Sequence, residues 1–303
     1  MFYLPDCKKI WGHGRCMKVS NKGFNYSQDG PGNRLVYHLQ GCNMCCPWCA
    51  NPESISPEGS FLVYKDKLID SVCPHDNIKN GEICRQTCHS CAGRECLKAR
   101  RSSGIKFSCQ TVSVAELISE AEECRELFVS GGGVTFTGGE PTLQFEELRE
   151  AMYELKRRGI SVAIETNASH PRLFELLPLI DVLIMDFKHY DSFRHKKYTG
   201  IANEQIKENL EIAMREHDMV IVRTPLIGGF NASQEDCKHF IEFYNGLTRK
   251  NTCFELLKFH EYGVPKWEAA GMEYTMQNAH ISDSVKRYFE DEYTRNGLKI
   301  TNT

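Results

Sequence analysis

The apolar residues of this chain fall into two regimes. Arg34-Leu35-Val36-Tyr37-His38-Leu39 is a short run of strand formers that stops at Gly41. From about Ser54 to Val112 the periodicity weakens, and cysteines, basic residues and turn formers crowd in. Regular alternation then begins. Val114-Ala115-Glu116-Leu117-Ile118 opens an amphipathic helix, and Gly133-Val134-Thr135-Phe136-Thr137 reads as a buried strand running into a Gly-rich turn. A helix from Phe145 to Arg158 leads to a strand from Ser161 to Glu165, and a short helix near Arg172 to Leu176 leads to a strand from Asp181 to Asp186. Helices around Glu204 to Arg215 and Gln234 to Tyr244 precede strands at Met219 to Thr224 and Cys253 to Phe259.

Five of these six strands recur at intervals of roughly 20–35 residues with helices between them, the pattern of consecutive βαβ units. The expectation is an α/β fold, with residues 1–54 supplying the first strand and residues 55–112 an insertion folded around metal. Residues 113–303 then hold the remaining strands and a C-terminal helix. Polar, charged or Gly-containing segments follow the C-terminal end of almost every strand, the edge that carries the active site in parallel barrels and open sheets.

Composition narrows the function classes. Hydrophobic residues make up 41% and charged residues 25% of 303, which argues against disorder. Basic and acidic residues number 37 and 40, a net charge of −3, so no bulk electrostatic attraction to nucleic acid is expected. No apolar run approaches the ~18 residues of a spanning helix, and no membrane partner is expected. Met1 to Arg15 lacks the apolar core of a signal peptide, which points to a reducing, cytoplasmic setting.

Cysteine is the outlier, with 15 residues, of which nine lie between Cys42 and Cys96. In a reducing compartment such a cluster reads as metal-binding thiolates rather than disulfides. Directly after the first strand, the spacing Cys42-x3-Cys46-x2-Cys49 can wrap three irons of a [4Fe–4S] cube and leave the fourth open to a small molecule. Cys42-x2-Cys45 with Cys46-x2-Cys49 also fits a four-thiolate zinc site, although adjacent Cys45 and Cys46 tend to point apart.

The loop and its surroundings resemble the radical S-adenosylmethionine (SAM) family, in particular its glycyl-radical-enzyme activating branch, the pyruvate formate-lyase activating enzyme-like proteins. The matching segments are Asp29-Gly30-Pro31-Gly32-Asn33-Arg34, the cysteine loop through Trp48-Cys49-Ala50-Asn51-Pro52-Glu53, and Ser130-Gly131-Gly132-Gly133-Val134-Thr135-Phe136-Thr137-Gly138-Gly139-Glu140-Pro141. Glu165-Thr166-Asn167, Asp186-Phe187-Lys188, His195-Lys196-Lys197-Tyr198-Thr199-Gly200, Arg223-Thr224-Pro225-Leu226-Ile227 and Phe259-His260 follow in the family's order. The resemblance spans about Asp29 to Met272 and implies a partial (β/α)6 barrel with a cysteine-rich, ferredoxin-like insertion.

It also implies roles. SAM would bind through its amino and carboxylate groups to a [4Fe–4S] cluster held by Cys42, Cys46 and Cys49. Gly139 and Glu140 would receive its methionine amino group, and Glu165 and Asn167 its ribose hydroxyls. Asp186 and Lys188 would lie near the sulfonium and carboxylate, Arg223 would reach the carboxylate, and His260 the adenosine. Trp48 would shield the cluster and touch the adenine, or fill core beside the loop. Taken alone, each of these residues has a structural reading: a tight turn at Gly138-Gly139-Glu140, a local ion pair for Asp186 and Lys188, a rim salt bridge for Arg223, a packed His260. The implied reaction is reductive cleavage of SAM to methionine and a 5′-deoxyadenosyl radical, which abstracts hydrogen from a backbone glycine of a partner glycyl radical enzyme. A radical SAM enzyme acting directly on a small molecule or peptide is the alternative.

Within the insertion, Cys84-x3-Cys88-x2-Cys91-x4-Cys96 offers four thiolates for one auxiliary [4Fe–4S] cluster, with Cys73 and Cys109 as possible substitutes and a zinc knot as the competing reading. The basic stretch Lys98, Arg100, Arg101 and Lys106 offers a dock for an acidic electron donor such as a flavodoxin or ferredoxin, though runs of this kind are more often solvated faces.

Overall fold

Residues 15–69, 72–80, 82–99 and 104–302 are described by a computed structural model. The chain begins with β1 (Cys16–Tyr26) and β2 (Asn33–Leu39). The cysteine-rich stretch follows, with β3 (Phe61–Val63), β4 (Ile78–Lys79), β5 (Glu82–Ile83), α1 (Arg85–Ser90), α2 (Glu95–Ala99) and β6 (Ile105–Phe107). After β7 (Gln110–Ser113) come α3 (Val114–Glu123), β8 (Gly133–Gly138), α4 (Phe145–Arg157), β9 (Ser161–Thr166), β10 (Val182–Asp186), α5 (Ser192–Thr199), α6 (Glu204–Glu216) and β11 (Val220–Leu226). The chain continues through α7 (Gln234–Asn245), β12 (Thr252–Lys258), α8 (Val264–Ala270) and α9 (Asp283–Arg295).

Eight strands form one sheet in the order β12-β11-β10-β9-β8-β2-β1-β7. The six strands read from the sequence, β2 and β8 to β12, pair in parallel, as consecutive βαβ units require. The other two extend the sheet antiparallel beyond β2 and escaped the sequence reading. Beyond Val19, β1 is largely exposed and polar, so its alternation is too short to register.

The helices are amphipathic because one face must cover the sheet. Leu117 and Ala121 of α3, Leu148, Met152 and Leu155 of α4, Leu210 and Met214 of α6, and Phe240 and Tyr244 of α7 join one core. Each such Leu or Phe contributes about 1.5–3 kcal/mol by leaving water. Ser113 with Glu116 and Ser233 with Asp236 form reciprocal caps that start α3 and α7 where the periodicity begins.

The Asp29–Arg34 segment is explained by packing. Arg34 is fully buried and donates to Thr135 Oγ1 at 2.7 Å, Val134 O at 2.8 Å and Ser161 O at 3.1 Å, tying β2, β8 and β9 together at their starts. Burial pulls its pKa down to about 10, against the pull of Asp181 and Asp29. Gly32 has φ +73°, and a Cβ there would meet Val129 O at 2.4 Å, so glycine is required.

The insertion has its own small apolar cluster of Phe61, Cys88, Cys96 and Ile105. It docks on α8 through Leu62 against Ala269 and Ala270, and through Arg85, which donates to Phe61 O at 2.5 Å and Ala269 O at 2.8 Å.

Candidate active site

The parallel strands point their C-terminal ends at the cysteine loop, and a cavity of about 360 Å³ lies between them. The loop is held as an extension of the sheet. Gly41 N donates to Ser54 O, Cys42 N to Ile55 O, and Glu140 N to Gly41 O. Its far side is clamped by α8: Trp267 Nε1 donates to Cys49 O at 2.9 Å, and Lys266 pairs with Glu53 at 2.9 Å. Gly263 packs so close that a Cβ would meet Cys49 O at 2.8 Å. These clamp residues lie more than 200 positions from the loop, with Trp267 separated from Cys49 by 218. Gly263-Val264-Pro265 signals a helix start, but nothing in the sequence says what that helix faces.

Of the residues singled out from the sequence, Cys42, Cys46, Cys49, Trp48, Gly139, Glu165, Asn167, Asp186, Lys188 and His260 all line this cavity. Trp48 lines the cavity, and its ring packs 4.8 Å from Phe230 and 6.2 Å from Tyr198. His260 is exposed at the end of β12 with its ring stacked on Tyr262 at 4.5 Å. Gly139 needs no side chain: a Cβ would sit 2.1 Å from Gly41 O, so the strand end and the cysteine loop approach at the backbone.

Glu140 and Arg223 stand off the cavity. Glu140 is fully buried, and its carboxylate accepts from Thr142 N (2.9 Å), Thr142 Oγ1 (2.5 Å), Thr166 Oγ1 (2.8 Å) and Asn167 N (2.6 Å). With four donors already satisfied it ties the β8 end to the β9 end rather than meeting an ammonium group. Arg223 is held between Glu165 and Glu255 and donates to Gln28 O at 2.5 Å, so its guanidinium is engaged within the protein. Thr137 Oγ1 donates to Glu165 at 2.7 Å and joins the lining beside it, a contribution the sequence reading missed. Burial outweighs the attraction of Arg223 and lifts Glu165 above the usual carboxylate range.

Electrostatics mark the loop as a place for a cation. Burial pushes the Cys42 thiol up to about 12 and raises Cys46 and Cys49 as well. Lys266 acts on Cys49 from the clamp side, and Lys188 acts on all three thiols. Burial alone would lower its pKa, but Asp186 at 2.7 Å and the neighbouring Cys46 and Cys42 hold it above the ordinary value. Two ammonium groups, both already paired with carboxylates, do not balance three thiolates, whereas iron would displace their protons. The donor set fits a three-thiolate cluster. Cys45 is exposed, with its Sγ directed to Thr199 O at 3.5 Å, so it does not complete a four-thiolate zinc shell with the others.

In the insertion, Cys88 and Cys96 are buried, Cys91 is half-buried, and Cys84 is exposed at the start of α1 with its Sγ 3.1 Å from Thr87 Oγ1. Burial, then the nearby Cys96, Cys73, Cys84 and Cys91, pushes the Cys88 thiol up to about 11. His75, Cys91 and Glu95 bring a ligand atom each within 4.8 Å of one another, two donor types not considered from the sequence. Arg100 and Arg101 of the anticipated basic dock lie outside the described residues. Among the described residues, Cys16 is disulfide-bonded, whereas the cysteines of the Cys42–Cys96 cluster are free.

A parallel sheet whose strand ends face three thiols across a small-molecule cavity defines an α/β enzyme built around a metal-bound cofactor. Comparison with known proteins agrees. The model of the Radical SAM superfamily matches residues 78–243. The chain is 34% identical over 272 residues to (2S)-3-sulfopropanediol dehydratase activating enzyme of Klebsiella oxytoca, covering 84% of this chain and 85% of that protein. It is 33% identical over 291 residues to 4-hydroxyphenylacetate decarboxylase activating enzyme of Clostridioides difficile strain CD196, covering 89% and 90%. Among solved structures, Streptococcus suis SuiB bound to precursor peptide SuiA covers 88% of this chain and 47% of its own, at 13% identity and a TM-score of 0.52, and shows the fold alone. The chain belongs to the radical SAM superfamily. No helix among the described residues is long and apolar enough to cross a membrane.

Proposed function

We propose that this chain is the activating enzyme of a glycyl radical enzyme, holding SAM on a [4Fe–4S] cluster ligated by Cys42, Cys46 and Cys49 and abstracting hydrogen from a backbone glycine of its partner. The observation that carries the reading is the meeting of three thiols and the polar strand ends in one cavity, in a chain about a third identical to named activating enzymes over most of its length. When bound, the cluster and SAM supply one-electron cleavage of a carbon–sulfur bond.

The chain's own residues bind and orient. Cys42, Cys46 and Cys49 would hold the iron as thiolates, and Lys188 would offset part of their charge. Asp186 fixes the Lys188 ammonium and presents a carboxylate toward the cavity, where a cationic ligand gains most from it. Gly139 lets a ligand reach the β8 backbone, and Glu165 and Asn167 present acceptors to hydroxyl groups. Trp48, backed by Phe230 and Tyr198, closes one wall against water. Glu140 and Arg223 act as positioning residues, through Asn167 and Glu165 respectively.

The insertion reads as a second, auxiliary metal site built on Cys88, Cys91 and Cys96, with Cys73 a better fourth donor than exposed Cys84. The electron comes from outside the chain, from a reduced flavodoxin or ferredoxin. The test is anaerobic. The protein is reconstituted with iron and sulfide, dithionite and SAM are added, and 5′-deoxyadenosine is quantified beside a Cys42/Cys46/Cys49→Ala triple variant. Product from the wild-type protein alone is expected; no product from fully loaded wild-type protein would overturn the reading. Iron retained by the triple variant measures the auxiliary site.

A further inference from the structure

The cysteine loop reaches the surface at one place. Asn43 and Cys45 are exposed, between the buried or half-buried Cys42, Met44 and Cys46. This tip is fastened to the last turn of α5: Cys45 N donates to Thr199 O at 2.9 Å, and its Sγ lies 3.5 Å from the same oxygen. Gly200, which ends the helix at φ +92°, packs so closely that a Cβ would sit 3.0 Å from Cys45 Sγ.

Helix α5 has two faces. His195 and Thr199 point inward, fully buried, and the Tyr198 ring lies tilted 6.2 Å from Trp48 of the cavity wall. Outward lie Phe193, Lys196, Lys197 and Gly200, at i, i+3, i+4 and i+7, all exposed. Phe193 is 77% exposed, an unusual place for a phenylalanine. The two lysines that line the cavity are paired, Lys188 with Asp186 and Lys258 with Asp283, as is Lys266 of the clamp with Glu53. Among the described residues no carboxylate pairs with Lys196 or Lys197; Lys197 lies only over the Tyr198 ring, at 5.7 Å.

An exposed aromatic ring flanked by two unpaired ammonium groups, bonded to the outer tip of a metal-binding loop, suits an acidic protein that must come close to the metal. We propose that this stripe of α5, with Asn43 and Cys45 beside it, is the docking face for the acidic flavodoxin-type donor that reduces the cluster. The inference rests on the radical SAM reading above. At this face no bond forms or breaks: the donor's reduced flavin is oxidised by one electron, and the iron–sulfur cluster held by Cys42, Cys46 and Cys49 is reduced by one. Positive charge here accelerates encounter with an acidic partner and makes it sensitive to salt. This places the dock on α5.

The test compares Lys196→Glu/Lys197→Glu with Lys196→Arg/Lys197→Arg and wild type. 5′-Deoxyadenosine formation is followed with a recombinant flavodoxin hydroquinone and, separately, with dithionite. Binding of oxidised flavodoxin to the reconstituted protein is measured by anaerobic calorimetry. The charge reversal is expected to lower both the flavodoxin-driven rate at limiting donor and the flavodoxin affinity by about tenfold or more, and to flatten their salt dependence. The dithionite-driven rate should stay at wild-type level, and the arginine variant should behave as wild type. Unchanged flavodoxin binding and rate would overturn the proposal, as would an equal loss with dithionite, which would place the lysines' effect at the site itself. A wild-type protein inactive with dithionite would overturn the radical SAM reading instead, and the donor face with it.

Discussion

Glu140 offers the sharpest test of whether a motif residue binds ligand or builds the site. Its Oε1 accepts from Thr142 N, Thr142 Oγ1 and Thr166 Oγ1, and its Oε2 from Asn167 N. In Glu140→Ala the two hydroxyls can turn to other acceptors, but the two backbone N–H groups are left buried and unpaired. Each orphaned N–H costs about 1–3 kcal/mol, or about 2–6 kcal/mol together. Part of this is offset, because the buried carboxylate itself is strained by desolvation, which raises its pKa. A net loss of about 2–4 kcal/mol is expected, and about 1–3 kcal/mol for Glu140→Gln, whose amide keeps one acceptor but turns a donor toward donors. Guanidinium unfolding of the apoprotein followed by circular dichroism reads this directly. Apo-Glu140→Ala unfolding at the wild-type midpoint, with SAM affinity alone reduced, would refute the structural role and return Glu140 to the ligand.

Three further outcomes follow from the geometry. Gly139→Ala drives a Cβ into Gly41 O at 2.1 Å, so the cysteine loop must shift; reconstituted iron and SAM affinity should both fall at least tenfold while the fold persists, and full iron loading would contradict the close approach. Cys45→Ser should retain the iron of the main cluster and 5′-deoxyadenosine formation, whereas Cys46→Ser should lose both; iron and product assays on the two variants separate a three-thiolate from a four-thiolate site. Burial holds His195 down at about 4, against the ordinary 6.5. Below pH 6.5 the unfolded chain therefore takes up a proton that the folded chain refuses. The His195 contribution to stability should be constant above that pH and fall by up to about 3 kcal/mol as pH drops toward 4, so the profile should fall less steeply in His195→Asn; parallel pH profiles for the two proteins would exclude this origin.

The amino-acid sequence by itself determined the six parallel strands and the helices between them, because each carries a hydrophobic period long enough to be read locally. It also determined the three-cysteine loop, whose spacing is chemistry written within eight residues, Cys42 to Cys49. The antiparallel β1 and β7 were not legible, since β1 buries only Met17 and Val19 among otherwise partly or fully exposed positions. Neither was the clamp of Gly263, Lys266 and Trp267 on the loop, made by residues whose neighbours in space are distant in sequence. Only the tertiary structure separated Glu165, Asn167, Asp186 and Lys188, which line the cavity, from Glu140 and Arg223, which stand behind it. Five of the six sit at or just past the ends of their strands and Arg223 lies within β11; a strand position tells which edge a residue occupies. Whether its charge faces a ligand or a neighbouring donor depends on what the other strands bring to that edge. Glu140 meets Thr142, Thr166 and Asn167 there, and Arg223 meets Glu165 and Glu255, so burial commits both to partners within the protein.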